Sequence, residues 1–186
     1  LTLIAQGKNT RSEIENALNI KELSGYLKNL NEEYGLISKM QPVYEKSSNK
    51  NVHYAINDQF LKFWFRFIYK YTHIIEAGGN NKLKAIAERD FTTVSGKSLE
   101  SYFNEVLKES GAYTRLGYWH DRKGENEIDI IAEDELDNKI EFIEVKRQAK
   151  NFDENVLKAK SELFFKAVGT FKGYEIIYRG VSIEDM

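Results

Sequence analysis

Cysteine is absent from this 186-residue chain, which removes disulfides, a thiol nucleophile and Cys-ligated zinc or iron–sulfur centres. A chain without thiols fits a reducing, cytoplasmic setting. No stretch reaches the roughly 18 uninterrupted apolar residues of a membrane helix, and Leu1–Ala5 is too short for a signal-peptide core and has no basic flank. Excess positive charge is missing as well: 27 Lys and Arg face 29 Asp and Glu, for a net charge of −2. A whole-chain basic footprint for nucleic acid is thereby excluded, and only local patches remain. His53, His73 and His120 are scattered, with no pair at metal-ligand spacing, and each reads as structural. His120, at a strand end, is the one near the site described next. What is plentiful is aromatic: 11 Tyr and 11 Phe predict a core dominated by ring packing.

The most informative stretch is Asn126–Arg147, NEIDIIAEDELDNKIEFIEVKR. Two β-type runs, Glu127–Ala132 and Lys139–Val145, flank a polar connection rich in Asp and Asn, which predicts a hairpin. Period-two alternation puts Ile140 and Phe142 on one face of the second strand and Ile143 and Val145 on the other. A strand apolar on both faces belongs in the middle of a covered sheet. Glu144 and Lys146 fall on the Ile140/Phe142 face, where charge is costly unless paired or metal-bound. Asp129 shares a face with Glu127 on the first strand. Asp129 and Glu144, side by side across the hairpin, can offer hard oxygen ligands to one Mg2+. Lys146 can orient a metal-bound water or stabilise charge on a phosphate. The competing reading is an exposed, charge-striped hairpin.

In the N-terminal part, Thr10 or Ser12 can cap a short helix through Asn16, and Asn19 marks a turn. Ile20–Tyr34 has helical spacing of Leu23, Leu27, Leu30 and Tyr34. Gly35-Leu36-Ile37 then opens a strand, and Met40–Tyr44 and Val52–Ile56 flank a polar tip, Lys46–Asn51. Helices followed by a hairpin give the order of a winged helix-turn-helix over residues 1–58. Its recognition helix would be Ile20–Leu30, and DNA contacts would come from Lys28, Lys46 and Lys50. Residues 1–58 hold seven basic and seven acidic side chains, so protein contact is as good a reading as DNA contact.

Asp58–Ala77 reads as one helix, apolar nearly all round and so buried on several sides, which joins two domains over residues 59–77. The Gly78-Gly79-Asn80-Asn81 run is the clearest break in the chain, and no Gly-Lys-Ser/Thr follows it to make a P-loop. Beyond it, residues 78–186 predict short helices at Lys82–Asp90 and Ser95–Ser110, a strand at Tyr113–His120, and the hairpin. A helix then runs to Val168 with Val156, Leu157, Leu163, Phe164 and Ala167 inward, and Tyr174–Tyr178 is a last strand. Lys160 reads as a surface lysine that can also reach the site.

The Asp129…Glu144-Val145-Lys146 arrangement and the αβββαβ order resemble the PD-(D/E)xK nuclease superfamily, although Ile128 stands where Pro is usual. That resemblance implies a restriction-endonuclease-like fold, and it makes Glu100, on the first helix, a candidate third metal ligand; a surface role for Glu100 is the alternative. The winged helix, the stretch Tyr54-Ala55-Ile56-Asn57-Asp58-Gln59-Phe60-Leu61-Lys62-Phe63-Trp64 and the Glu-Ile-Asp…Glu-Val-Lys pair together resemble the C-terminal half of archaeal-type AAA ATPases that also occur in bacteria. The resemblance implies an upstream Walker-type ATPase domain that this chain does not carry, and a DNA-directed or defence-related role. Two functions follow as expectations: an Mg2+-dependent nuclease acting on nucleic acid, in the first instance DNA, or a noncatalytic DNA- or protein-binding adaptor for an ATPase.

Overall fold

In a computed structural model, residues 1–44, 52–169 and 171–186 are described. The protein is a mixed α+β chain that divides into two compact units, Leu1–Gln41 with Ser47–Thr92, and Pro42–Lys46 with Thr93–Met186.

The first unit begins with α1 (Thr2–Ala5), α2 (Arg11–Leu18) and α3 (Ser24–Glu32). Thr10 caps α2 through a reciprocal arrangement with Glu13, satisfying amides that the first turn leaves free. Asn19 ends α2 in the left-handed conformation, φ 54°, which Asn tolerates better than most side chains. α3 starts at Ser24 and not at Ile20, because Ile20–Leu23 serves as the connection between the two helices. β1 (Ile37–Met40) pairs antiparallel with β2 (His53–Ile56). β1 is the strand expected to open at Gly35-Leu36-Ile37, and of Met40–Tyr44, expected to flank the tip opposite Val52–Ile56, only Met40 belongs to it. Ile4, Ile14, Leu23, Leu27, Ile37, Tyr54 and Ile56 form the core of this unit.

The aromatic segment departs from the single buried helix expected of it. It breaks into α4 (Gln59–Phe63), a π-helical turn over Trp64–Ile68, a 3-10 turn over Tyr69–Tyr71 and α5 (Thr72–Glu76). Within it Phe67 is buried, whereas Phe60, Phe63, Trp64 and Tyr69 are exposed, Phe60 by 65%. The wider π-turn shifts the register of the side chains, so the apolar positions cannot all face one core. Gly78-Gly79 makes a tight turn, and α6 then runs unbroken from Asn80 to Glu109. It replaces the two short helices expected, and the division between units falls within it at Thr92/Thr93.

The second unit is organised by a four-stranded sheet of order β3 (Arg115–His120), β4 (Glu127–Asp134), β5 (Lys139–Val145) and β6 (Glu175–Val181). β3–β4 and β4–β5 are antiparallel, and β5–β6 is parallel. A parallel pair needs a crossover, and α7 (Glu154–Val168), capped by Asp153, supplies it. As the alternation on β5 requires, Ile140 and Phe142 pack with Leu157 and Phe164 of α7, while Ile143 and Val145 pack with Leu99 and Phe103 of α6. The inner stripe of α7 is Leu157, Ser161 and Phe164. Val156, Leu163 and Ala167, expected inward, are exposed, the first two each one position before a residue of that stripe.

Two buried acids in this sheet are paired, as their burial demands. Glu133 accepts from the Tyr44 hydroxyl and from Tyr174 at 3.2 Å, and forms an ion pair with Arg115, whose Nε lies at 3.1 Å. Glu141 is met by Tyr113 at 3.0 Å, Lys139 at 3.2 Å and Arg179 at 3.3 Å.

Gly180 on β6 is required for a packing reason. A Cβ there would lie 2.4 Å from the Phe152 ring, well inside van der Waals contact. We expect Gly180→Ala to lose about 1–3 kcal/mol of stability, the usual range for overpacking, measured by urea unfolding. An unchanged midpoint would show that Phe152 moves aside freely.

Candidate active site

β4 carries an extra residue near its start. Gly117 pairs with Ile131 and Trp119 with Ile128, so Asp129 and Ile130 together face Tyr118. Such a bulge bends a strand and re-aims its side chains, and bulges are common beside functional sites. The register of β4 with β5 accordingly begins at Ile130↔Ile143. Below that point the Asp129 carboxylate takes over the backbone's role, its Oδ2 accepting from Val145 N at 2.8 Å. Asp129 is thereby held against the Glu144-Val145-Lys146 segment.

Glu144 is 7% exposed, and its charge is satisfied by two lysines. Lys160 Nζ lies 2.9 and 3.0 Å from its two oxygens, and Lys146 Nζ lies 2.7 Å from Oε1. On α6, Lys97 Nζ binds Glu100 at 2.8 Å and lies 3.6 Å from Glu127. The two groups of charges feel each other. Burial, with Glu144 and Glu100 close by, pushes the Asp129 carboxyl up to about 7, against the opposing pull of the Val145 amide and Lys146. Burial also raises Glu100, with Glu127 and Glu144 adding to it and Lys97 opposing. Asp129 thus stands among like charges that the three lysines do not fully offset.

The structure brings together Asp129, Glu144, Lys146 and Glu100, all four singled out from the sequence. Lys160 is a correction: with its side chain 19% exposed, it is part of this cluster. Its spacing was the available signal, since it lies three residues after Leu157 and four before Phe164, both on the inner face of α7. Lys97 was missed altogether, although it lies one helical turn before Glu100. His120 Nδ1 is 2.8 Å from its neighbour's carbonyl, Asp121 O. Lys28 is exposed on α3 and lies 3.8 Å from Glu32, and Lys46 and Lys50 lie outside the described residues.

The donors suit Mg2+ in kind, being hard carboxylate oxygens carrying uncompensated charge. Among the described residues, however, no three of the Asp, Glu and His side chains gather closely enough to enclose a metal. What stands at the start of β4 and the end of β5 is a lysine-paired carboxylate cluster, which can hold a proton on Asp129 near neutrality and present Lys97, Lys146 and Lys160 to an anion.

These features define an α+β protein with a charged cluster built on a bulged hairpin. The chain belongs to the family DUF234, described as archaeal and bacterial proteins of unknown function, which matches residues 64–158. It is also similar to an uncharacterized protein of Methanocaldococcus jannaschii, MJECL04, at 34% identity over 90% of this chain. The chain spans 39% of that relative's length. No solved structure matches it. Among the described residues no helix is long and apolar enough to cross a membrane.

Proposed function

We propose that the second unit is a PD-(D/E)xK-type, divalent-metal-dependent phosphodiesterase acting on nucleic acid, and that the first is a winged helix-turn-helix. One observation carries the reading: Asp129, seated on the Val145 amide, converges with Glu144, Lys146 and Glu100 at one end of a hairpin. Support comes also from the element order α6-β3-β4-β5-α7-β6 with β6 parallel to β5, and from α1-α2-α3-β1-β2 in the first unit. In this reading Asp129, Glu144 and Glu100, which as they stand do not enclose an ion, would draw in around Mg2+, and the ion would supply an activated water and neutralise phosphate charge. Glu144 would exchange part of its contact with Lys160 for the metal. Lys146 would steady charge developing on the phosphate, and Lys97 would hold Glu100 in place. The whole protein, in this reading, adds an upstream ATPase domain.

The test is Mg2+- and Mn2+-dependent cleavage of single-stranded, double-stranded and branched DNA by the wild type, Asp129→Ala and Lys146→Ala. Each variant should lose roughly 10²–10³-fold in rate, the scale for removing one group that stabilises transition-state charge. Mg2+ should also raise the melting temperature of the wild type but not of Asp129→Ala. No cleavage and no Mg2+-dependent shift, in a folded wild type, would reject the reading.

The adaptor reading has its own support. Both oxygens of Glu144 are taken by Lys160, as they would be in a domain that keeps the fold and has lost the metal. A wild type that binds DNA or a partner protein without cutting DNA in any metal would select it.

A further inference from the structure

Away from that cluster, the first unit contains a polar cavity of about 120 Å³ lined by Gln6, Arg66, Lys70, Tyr71 and Asp90. It is built on the π-helical turn: Arg66 lies within Trp64–Ile68, and Lys70 follows four residues later. π-turns are frequent at functional sites because they displace a side chain from the regular helical spacing. Arg66 Nη1 donates to Ala5 O at 2.8 Å, which fixes the guanidinium against the end of α1. Its Nη2 lies 3.9 Å from Asp90 Oδ2, at the outer limit of an ion pair. Its Nε is buried with no hydrogen-bond partner among the described residues. A buried guanidinium N–H without an acceptor is costly, and such groups in native structures call for an explanation.

The one carboxylate in the wall does not supply that acceptor. Asp90 is clasped by Arg89, with Nε at 2.7 Å from Oδ1 and Nη2 at 3.2 Å from Oδ2. Lys70 Nζ stands 5.0 Å from the centroid of the Tyr71 ring. Arg66, Lys70 and Arg89 therefore surround a single acid, in a chain whose overall charge is −2. The cavity wall is polar throughout, so it does not suit an apolar ligand, and one already paired carboxylate does not suit a metal. Room is ample, since about 10–15 Å³ on this scale suffices for one water.

We propose that this cavity binds an oxyanion of the phosphate class, with Arg66 and Lys70 as its charged contacts and Gln6 and Tyr71 as neutral donors. A tetrahedral oxyanion presents acceptors in several directions at once, which matches donors arriving from α1, the π-turn and the turn after it. Arginine and lysine are the side chains suited to it, the first through its planar fork and the second as a point charge. The phosphoryl group can come from a phosphodiester backbone or from free phosphate. The site does not depend on the nuclease reading, because no residue of the Asp129 cluster contributes to it.

Inorganic phosphate and a short oligodeoxynucleotide are to be titrated separately against wild type, Lys70→Gln and Arg66→Gln, with affinity by calorimetry and melting temperature as readouts. Lys70 Nζ meets the Tyr71 ring and acts on Asp90 through its field, with no ion pair within 4 Å among the described residues, so Lys70→Gln is expected to melt close to the wild type without phosphate and to bind phosphate at least tenfold more weakly. Arg66→Gln tests the second contact if it folds; Lys70→Gln decides the matter if it does not. Loss of phosphate and oligonucleotide binding together in Lys70→Gln identifies a phosphodiester as the source. Loss of phosphate binding alone identifies free phosphate. No phosphate binding by the wild type, or equal binding by wild type and Lys70→Gln, overturns the proposal.

Discussion

Phe164→Ala is expected to lower the stability of the second unit by about 3–5 kcal/mol, the range for truncating a fully buried ring. Phe164 is 0% exposed, and its ring meets those of Tyr44, Trp119, Phe142, Phe165 and Phe171 at centroid distances of 5.4 to 5.8 Å. Five neighbours held edge-on or stacked cannot collapse onto the space a methyl group would leave, so the transfer and cavity losses add. The melting temperature should fall by roughly 6–20 °C, at about 2–4 °C per kcal/mol for a chain of this size. Leu136→Ala, in the exposed connection between β4 and β5, is the control and should change stability by less than about 0.5 kcal/mol. If the two variants melt alike, the aromatic cluster is not the core of this unit.

Asp129→Asn should become progressively more stable than the wild type as the pH rises from 5 to 8. The direction follows from proton linkage. Burial and the neighbouring Glu144 and Glu100 push the folded carboxyl up to about 7 from the usual 3.8. Between those values the folded chain holds a proton that the unfolded chain has released. Stability therefore declines as pH rises through that window, and the whole burden is present above pH 7. Asparagine carries no charge to desolvate, and its amide oxygen can still accept from Val145 N. The gap should grow by at most about 1.4 kcal/mol per pH unit across the window, less where water reaches the cluster. Melting curves in a chelator at pH 5, 6, 7 and 8 measure it. A constant gap would mean that Asp129 is ionised throughout, with its charge matched by the lysines.

The hairpin was legible because its signals agree. Alternation on Lys139–Val145 required two buried faces, Asp and Asn marked the connection, and the acids fell where charge needs a partner. The bulge was not legible, since Glu127–Asp134 carries no Gly to announce an extra residue; register is settled by packing on both sides of the strand. α6 was hidden for a related reason. Gly78-Gly79, the β-branched Thr92, Thr93 and Val94, and Gly96 all argue locally for a break, yet Leu99 and Phe103 pack on the sheet, and tertiary contact outweighs propensity. The segment Asp58–Ala77 failed in the opposite way. Its apolar residues were counted, but their direction depends on a π-turn that composition does not reveal. Of the cluster, the acids and Lys146 could be read from one strand pair, whereas Lys97 and Lys160 arrive from helices distant in sequence.

That difference in sequence distance predicts an order of assembly. β4 and β5 are joined by a connection of four residues, and hairpins of this kind close in about 1–10 μs. Lys160 reaches Glu144 only when α7 is laid across the sheet, and β6 follows α7 in the chain. During synthesis the N-terminal segments emerge first. The two carboxylates, with Lys146 beside Glu144, are therefore expected to meet while still in water, ahead of Lys160, the second ammonium group on Glu144. Burial of that acid waits on the helix, so the last third of this unit acts as the latch that closes its charged centre.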